Sequence, residues 1–577
     1  MMRNLVITPN VEFWDLSGPL LFVSSWHAGL NNKSCLDNVE YVIHDHEALP
    51  FSLSDMNDKL DWYYNELLLG LAVNLNRVHG KEFNRRYWEI IVGPWLKRFV
   101  SMTFHRFHAL ESVFERNRVK NVVTGQNELE FPLVTSSYSD FLWNASNNVE
   151  WNFLFESKII DLLKPDCEIH RKRANLTNFR FTRSESRLKK YLLKLAELFT
   201  FGNAQDYFIY ASYFPNYLYI KVNLKLLQFP MIWKRYIAKE HATNVILRKE
   251  LRFPKKFDDK FLLIASSLVP HTLPSIYLEG YQDLVKISGS VNWPANPKLI
   301  FTSNAFDDDE VFKCWTAHKV LSGVKYYVGQ HGNNYGTKLG NLNWVEQTTC
   351  DRFVTWGWKN NDRQIRAFNF KIRGQGKRKP RGGLTLVELH PLHRLGPVDD
   401  HATFLRYFES QVQFVSRLPQ GIRGALTIRL HSASRYFNWN EFDFWRKNFV
   451  DVYIENGSMK IGKLLKNSKL VVHSYDSTGI LETLRWNIPT LCFWENGFDH
   501  LEKTAIPYYN LLRESNIYFE KPEELVNHIE NIWFEVSEWW MSSDVQHARL
   551  SFLNEFSKDS VEPAGDLARI FKQSNNL

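Results

Sequence analysis

Residues 469–484 read Lys469-Leu470-Val471-Val472-His473-Ser474-Tyr475-Asp476-Ser477-Thr478-Gly479-Ile480-Leu481-Glu482-Thr483-Leu484. The apolar run Leu470–Val472 predicts a buried strand ending near His473. The next residues are small and polar. Ile480, Leu481 and Leu484 then return at helical spacing, so a helix is expected over 479–486. A strand that hands a polar loop to a helix start is the phosphate-binding unit of nucleotide-binding α/β domains. Unpaired N–H groups and the positive end of the helix dipole favour an anion there. On this reading Ser477, Thr478 and Gly479 face the phosphate. Glu482, one turn into the helix, accepts from ribose hydroxyls. The same residues also read as a plain helix cap by Asp476 or Ser477 with Glu482 in solvent.

The flanks repeat the grammar. Strands are expected at 384–389, 425–430, 451–454, 490–493 and 517–519. Helices are expected at 402–417, 459–465, 505–514 and 522–534. Alternation at this spacing predicts a parallel, doubly wound sheet, a Rossmann-like domain over 384–540. Upstream, residues 371–383 (KIRGQGKRKPRGG) are basic and Gly-rich and read as an interdomain linker. Before the linker, 261–266 and 298–302 read as strands and 307–321 as a helix with an acidic start. A strand at 325–328 then runs into Gly329-Gln330-His331-Gly332. Glycines at a strand end let the backbone approach a ligand. Gln330 supplies hydrogen bonds, and His331 can move a proton near neutral pH. A second strand-end pair, Arg429 and His431, suits a phosphate; an Arg paired to a carboxylate is the equal alternative. The first 250 residues are helix-rich, with long amphipathic helices at 57–79 and 82–117, further helices at 185–200 and 217–228, and short strands at 3–8, 20–24 and 119–124.

The chain has 577 residues, too many for one core. Aromatic residues make up 15%, and the net charge is +8. That mild excess suits an anionic small ligand or an anionic membrane surface, and it lacks the dense basic stripe of a nucleic-acid binder. Five widely spaced cysteines form no CxxC pair, which argues for a reducing cytoplasm and against a zinc knuckle. The N-terminus lacks a signal-peptide core, and no apolar run reaches the length of a spanning helix. Asp307–Glu310 reads as helix capping, and His44–Glu47 and His390–His393 lack further ligands at metal spacing, so no metal site is expected.

Taken together, Glu12-Phe13-Trp14-Asp15, Leu75–Gly80, Arg86-Tyr87-Trp88, Gly93-Pro94-Trp95, Gly329–Gly332, Asp351-Arg352-Phe353, Trp356-Gly357-Trp358, His473–Leu484, Ile488-Pro489-Thr490 and Phe493-Trp494 resemble a family of transferases encoded in bacterial O-antigen and capsule clusters. More distantly the chain is similar to transferases of Kdo, pseudaminic acid and sialic acid. Those share a Gln-His-Gly turn, a His on a central C-terminal strand and a Ser/Thr pair at a helix start. His431 is followed here by Ser432, where the sialyltransferase-like pattern has Pro.

The resemblance implies an α/β, GT-B-like fold: two Rossmann-like domains facing a cleft, with a helix-rich N-terminal region. It divides the chain into an acceptor-side domain (1–370) with a large helical insertion, the linker, a nucleotide-sugar-binding domain (384–540) and a helical tail (541–577). His331 and Arg429 would serve the reacting centre. Gln330, Gly332, His431, His473, Ser477, Thr478, Gly479 and Glu482 would hold the donor. The implied reaction is metal-independent transfer of a sugar, with CMP-linked donors among those allowed, to a surface polysaccharide or lipopolysaccharide acceptor. The nucleotide-sugar is a substrate, and no cofactor is implied. The expected place is the cytoplasm, with peripheral contact at the inner membrane face. Rival readings are a nucleotide-sugar epimerase, a CDP-polyol phosphotransferase and a non-enzymatic scaffold of polysaccharide assembly.

Overall fold

The computed structural model describes residues 2–28, 36, 39–44, 53–176, 203–253, 257–340, 344–371, 382–389, 404–432, 441–495 and 497–573. The helix expected at 185–200, the linker over 372–381, and the His46 and His390–His393 segments lie outside them.

Three parallel sheets organise the chain. The first has β1 (Arg3–Val6), β2 (Leu20–Phe22), β3 (Tyr41–Ile43), β4 (Val119–Gln126) and β5 (Glu168–Arg173), in the order β3-β2-β1-β4-β5. The second has β6 (Phe208–Ile209), β7 (Ile300–Thr302), β8 (Tyr326–Gly329), β9 (Arg352–Thr355) and β10 (Gln364–Arg366), in the order β10-β9-β8-β7-β6. The third has β11 (Leu384–Val387), β12 (Leu426–Arg429), β13 (Tyr453–Glu455), β14 (Leu470–His473), β15 (Thr490–Phe493) and β16 (Tyr518–Phe519). Its order, β13-β12-β11-β14-β15-β16, is that of a dinucleotide-binding sheet, and the order reverses between β11 and β14. The parallel α/β architecture is present as expected, with one lobe built on each of the three sheets. The helix-rich N-terminal region holds the first of these sheets: the strands expected at 3–8, 20–24 and 119–124 are its β1, β2 and β4, and its two edge strands, β3 and β5, carry no apolar run long enough to have marked them in the sequence.

One expected strand is a helix. Residues 261–266 belong to the helix Lys260–Thr272, started by Asp259, whose carboxylate accepts from Leu262 N–H at 2.9 Å. Phe261, Leu262, Ile264, Ala265, Leu268 and Val269 are its buried face, so most of the apolar run 261–265 was one side of a longer helix.

The helix Arg85–Arg116 is the spine between the first two sheets. Trp88 and Trp95 on it are fully buried, and Arg86 pairs with Asp351 of the second lobe at 3.0 Å. At the other end of the chain, the helix Pro563–Gln573 crosses back to the second sheet. Its Phe571 ring lies 4.9 Å from Phe301 on β7.

Candidate active site

Carboxyl ends of parallel strands are where open α/β sheets bind ligands. In the second lobe β8 ends in the Gln330–Gly332 loop. Gln330 is buried and spent on structure. Its Oε1 accepts from Trp356 N–H and Trp358 Nε1–H, both at 2.8 Å, and its Nε2 donates to the Gly332 carbonyl at 2.9 Å. That side chain holds the loop's shape. His331 is half-buried, and its Nδ1 lies 3.2 Å from Tyr335 Oη. Tyr335 donates its one proton to Glu346, so His331 Nδ1 must be the donor to Tyr335. Burial pushes the Glu346 carboxyl up to about 7, against the pull of Tyr335 and the Arg98 guanidinium.

In the third lobe β14 delivers the loop 474–477 to the helix Thr478–Arg485. Ser477 stands at the N-cap position, 6% exposed, but its hydroxyl makes no capping bond. The Tyr475 phenol lies beside it without good hydrogen-bond geometry. His473 is fully buried beneath the helix start. Burial pulls it down to about 3, so it is neutral. Thr483 donates to backbone carbonyls of its own helix, which leaves its oxygen to accept from His473 Nε2–H at 3.2 Å. His473 therefore acts as a packed floor. A side chain at Gly479 would meet its Cε1 at 2.7 Å, so glycine is needed there for close approach.

The two loops meet. Asn333 N–H donates to Thr478 Oγ1 at 2.9 Å. Its Nδ2 donates to Asp476 Oδ1 at 2.7 Å and to the Ser477 carbonyl at 3.2 Å. Asp476 also accepts from Tyr509 Oη–H at 2.8 Å. A short antiparallel bridge between Lys338 and Leu501 extends the clasp. Gly332 packs against Thr478, since a Cβ there would lie 3.1 Å from its hydroxyl. Lys371 donates to the His331 carbonyl at 3.0 Å and is the cation opposing the burial that pushes Glu482 up. His331, Gly332, Ser477, Thr478, Gly479 and Glu482 are thus gathered around one junction, with His473 beneath it.

Arg429 and His431 are placed differently. Arg429 is buried and pairs with Glu455 at 2.8 Å. Its other nitrogens donate to the carbonyls of Leu430 and Met459. Burial opposes the Glu455 charge, but N–H donors from Met459 and Gly457, the Ser458 hydroxyl and Arg429 outweigh it and hold the carboxyl low. His431 is half-buried just beyond β12, beside Gly457.

Two acids were missed in the sequence. Val387 on β11 is level with His473 on β14, so Glu388 and Ser474 leave the sheet together at the reversal of strand order. Glu388 is 3% exposed, with Oε2 accepting from Trp445 Nε1–H at 3.3 Å and Oε1 without a partner. Burial, then the nearby Glu441, pushes it well up, and burial alone lifts Glu441 to about 8. An acidic residue directly after an apolar strand was the available signal.

A cavity of about 390 Å³ opens at the carboxyl ends of β6 and β7, lined by Tyr213, Tyr219, Trp233, Arg235, Asn304 and Asp308 among others. Tyr213 stacks against His331 with centroids 6.3 Å apart, which joins this cavity to the junction.

A family model described as LIC12162 family transferase matches residues 3–571. No curated protein sequence matches the chain at a significant level. Among solved structures, MurG of Acinetobacter baumannii is similar at 8% identity, over 51% of this chain and 78% of its own, with a TM-score of 0.30. The wall teichoic acid polymerase TagF is similar at 10% identity, over 67% and 96%, with a TM-score of 0.29. WaaG, a glycosyltransferase involved in lipopolysaccharide biosynthesis, is similar at 11% identity, over 48% and 75%, with a TM-score of 0.25.

Proposed function

The chain belongs to the LIC12162 family of transferases, and from that premise we propose that it moves a sugar from a nucleotide-sugar, CMP-linked donors included, to a glycan or lipid-linked glycan of a surface polysaccharide at the inner membrane face. The observation that carries this reading is the clasp. It brings a histidine loop from one sheet and a helix start from another within one hydrogen bond, Asn333 N–H to Thr478 Oγ1 at 2.9 Å.

In this reading the donor nucleotide lies at the reversal between β11 and β14, and its phosphate faces the start of the 478–485 helix. The acceptor enters from the Tyr213 cavity. Its hydroxyl oxygen attacks the anomeric carbon, the sugar–phosphate bond breaks, and the electron pair leaves on the phosphate. Helix-start N–H groups and Lys371 stabilise that charge. His331 takes the hydroxyl proton. Nδ1–H is committed to Tyr335, so Nε2 is the basic nitrogen.

The test is thermal stabilisation by CMP, CDP, UDP, GDP and ADP, comparing wild type with Ser477→Ala. The Ser477 hydroxyl makes no structural hydrogen bond, so the variant should fold as the parent does. One nucleotide at a hundred times its Kd should add about 2.7 kcal/mol to the wild type and clearly less to the variant. If no nucleotide stabilises the wild type, the reading fails.

A further inference from the structure

The segment that walls the Tyr213 cavity presents an unusual surface. Residues 207–239 contain five Lys or Arg (Lys221, Lys225, Lys234, Arg235, Lys239) and no Asp or Glu. The helix Asn216–Lys225 buries Leu218 and Val222 and turns Tyr217, Ile220 and Leu224 to solvent, positions that share one face. The chain beyond it exposes further apolar side chains. Leu227 is 90% exposed, Phe229 59%, Ile232 68% and Ile237 84%.

These side chains are held outward by a well-anchored backbone. Gln228 exchanges two hydrogen bonds with the Tyr207 backbone, at 2.8 and 2.9 Å. Tyr219 Oη–H binds the Met231 carbonyl, and Trp233 packs on Phe208. Leu227 sits at φ 61°, a conformation that costs a non-glycine residue energy. The left-handed Leu227 lets Gln228 N–H reach the Asn223 carbonyl at 3.1 Å, which closes the end of the Asn216–Lys225 helix and leaves the leucine side chain in water. Two of the cations are paired with acids from elsewhere, Lys225 with Glu562 at 3.0 Å and Arg235 with Asp308 and Asp309 at 3.4 and 3.5 Å. Lys221 and Lys239 are exposed along the same segment.

We propose that residues 217–239 form a docking face for an anionic phospholipid bilayer, with the apolar side chains entering the headgroup boundary and the lysines meeting lipid phosphates. Exposed apolar side chains interleaved with cations are the pattern of interfacial attachment. Among the described residues no helix is long and apolar enough to cross a membrane, so this attachment is peripheral. Ile232, Trp233 and Arg235 belong both to this face and to the cavity wall, so docking sets the cavity mouth at the lipid surface. That a lipid-linked glycan enters there rests on the proposed glycosyl transfer; the bilayer contact does not.

The test is co-sedimentation of the full chain with phosphatidylcholine vesicles, with and without phosphatidylglycerol. The wild type should bind the anionic vesicles, and added salt should weaken binding. Leu224→Ser/Leu227→Ser/Ile237→Ser should weaken it by about ten-fold or more. All three side chains are exposed, so the thermal transition should stay in place. Lys221→Glu/Lys239→Glu should weaken binding to anionic vesicles alone. Failure of the wild type to bind, equal binding to neutral and anionic vesicles, or undiminished binding by the triple variant would overturn the proposal. So would concentration-dependent self-association that the triple variant loses while vesicles are ignored. Nucleotide stabilisation read on the same variants separates this outcome from failure of the transfer reading.

Discussion

At Glu346 the chain buries a carboxyl under a tyrosine, and burial pushes it up to about 7. The consequence for stability follows from its sign. Between about pH 4.5 and 7 the unfolded chain ionises this group while the folded chain keeps its proton. Its contribution is therefore most favourable below that window and falls as pH rises through it, by about 3 kcal/mol in all. Glu346→Gln removes the titration. Urea unfolding at about pH 5 and about pH 8 should show the variant gaining roughly that amount on the wild type as pH rises. A constant difference would place Glu346 at its ordinary value. The same residue bears on chemistry. While ionised it accepts the Tyr335 O–H hydrogen bond and so keeps hydrogen on His331 Nδ1. His331 and Ser477 could be picked out by residue type and position in the sequence. Arg429 could be picked out equally well, yet its charge is taken up by Glu455, 26 residues away in the chain and adjacent only because β12 pairs with β13.

Elements matter here through their ends. The 325–329 strand and the 478–485 helix were both legible from periodicity. Their junction was not, because it depends on Asn333, a residue with no distinctive local signal. Removing its side chain leaves Asp476 short of a donor at 2.7 Å. Hydrogen bonds to charged groups contribute about 1.5–3 kcal/mol. Asn333→Ala should cost about that much, and should raise amide exchange at the start of the 478–485 helix. Unchanged exchange there would show that the clasp does not tie the lobes. Family motifs prove to be packing elements as often as site elements. Trp88 is fully buried and donates to Asn76 Oδ1 at 2.8 Å, which joins the Leu75–Gly80 and Arg86–Trp88 motifs inside one core. The 261–266 segment shows the limit of short windows. Five apolar residues in a row fit a strand as well as the buried side of a helix, and only the Asp259 cap and the contacts beyond decide.

Across the whole molecule, the C-terminal helix ties the far end of the chain to the middle sheet. Phe571 is fully buried against Phe301, although 270 residues separate them. Phe571→Ala should therefore cost about 3–5 kcal/mol, which denaturant unfolding of the full chain can read. A cost near zero would mean that this helix docks without supporting the second lobe. Arg485 extends the same tie by donating to the Ser557 carbonyl at 2.9 Å, so the helix that starts at Thr478 is braced at its other end by the tail.

What the sequence by itself determined is the local grammar: parallel strands alternating with helices, glycine and polar loops at strand ends, and a chain too long for one core. These are set by periodicity and backbone preference within about twenty residues. Tertiary structure alone decided that the short N-terminal strands pair into a sheet with two further edge strands. It also decided that His473 is a neutral floor, that Gln330 braces tryptophans, and that Asn333 joins two lobes. The physical reason is that a polar side chain's role depends on which distant group reaches it first, and burial sets how much that contact matters.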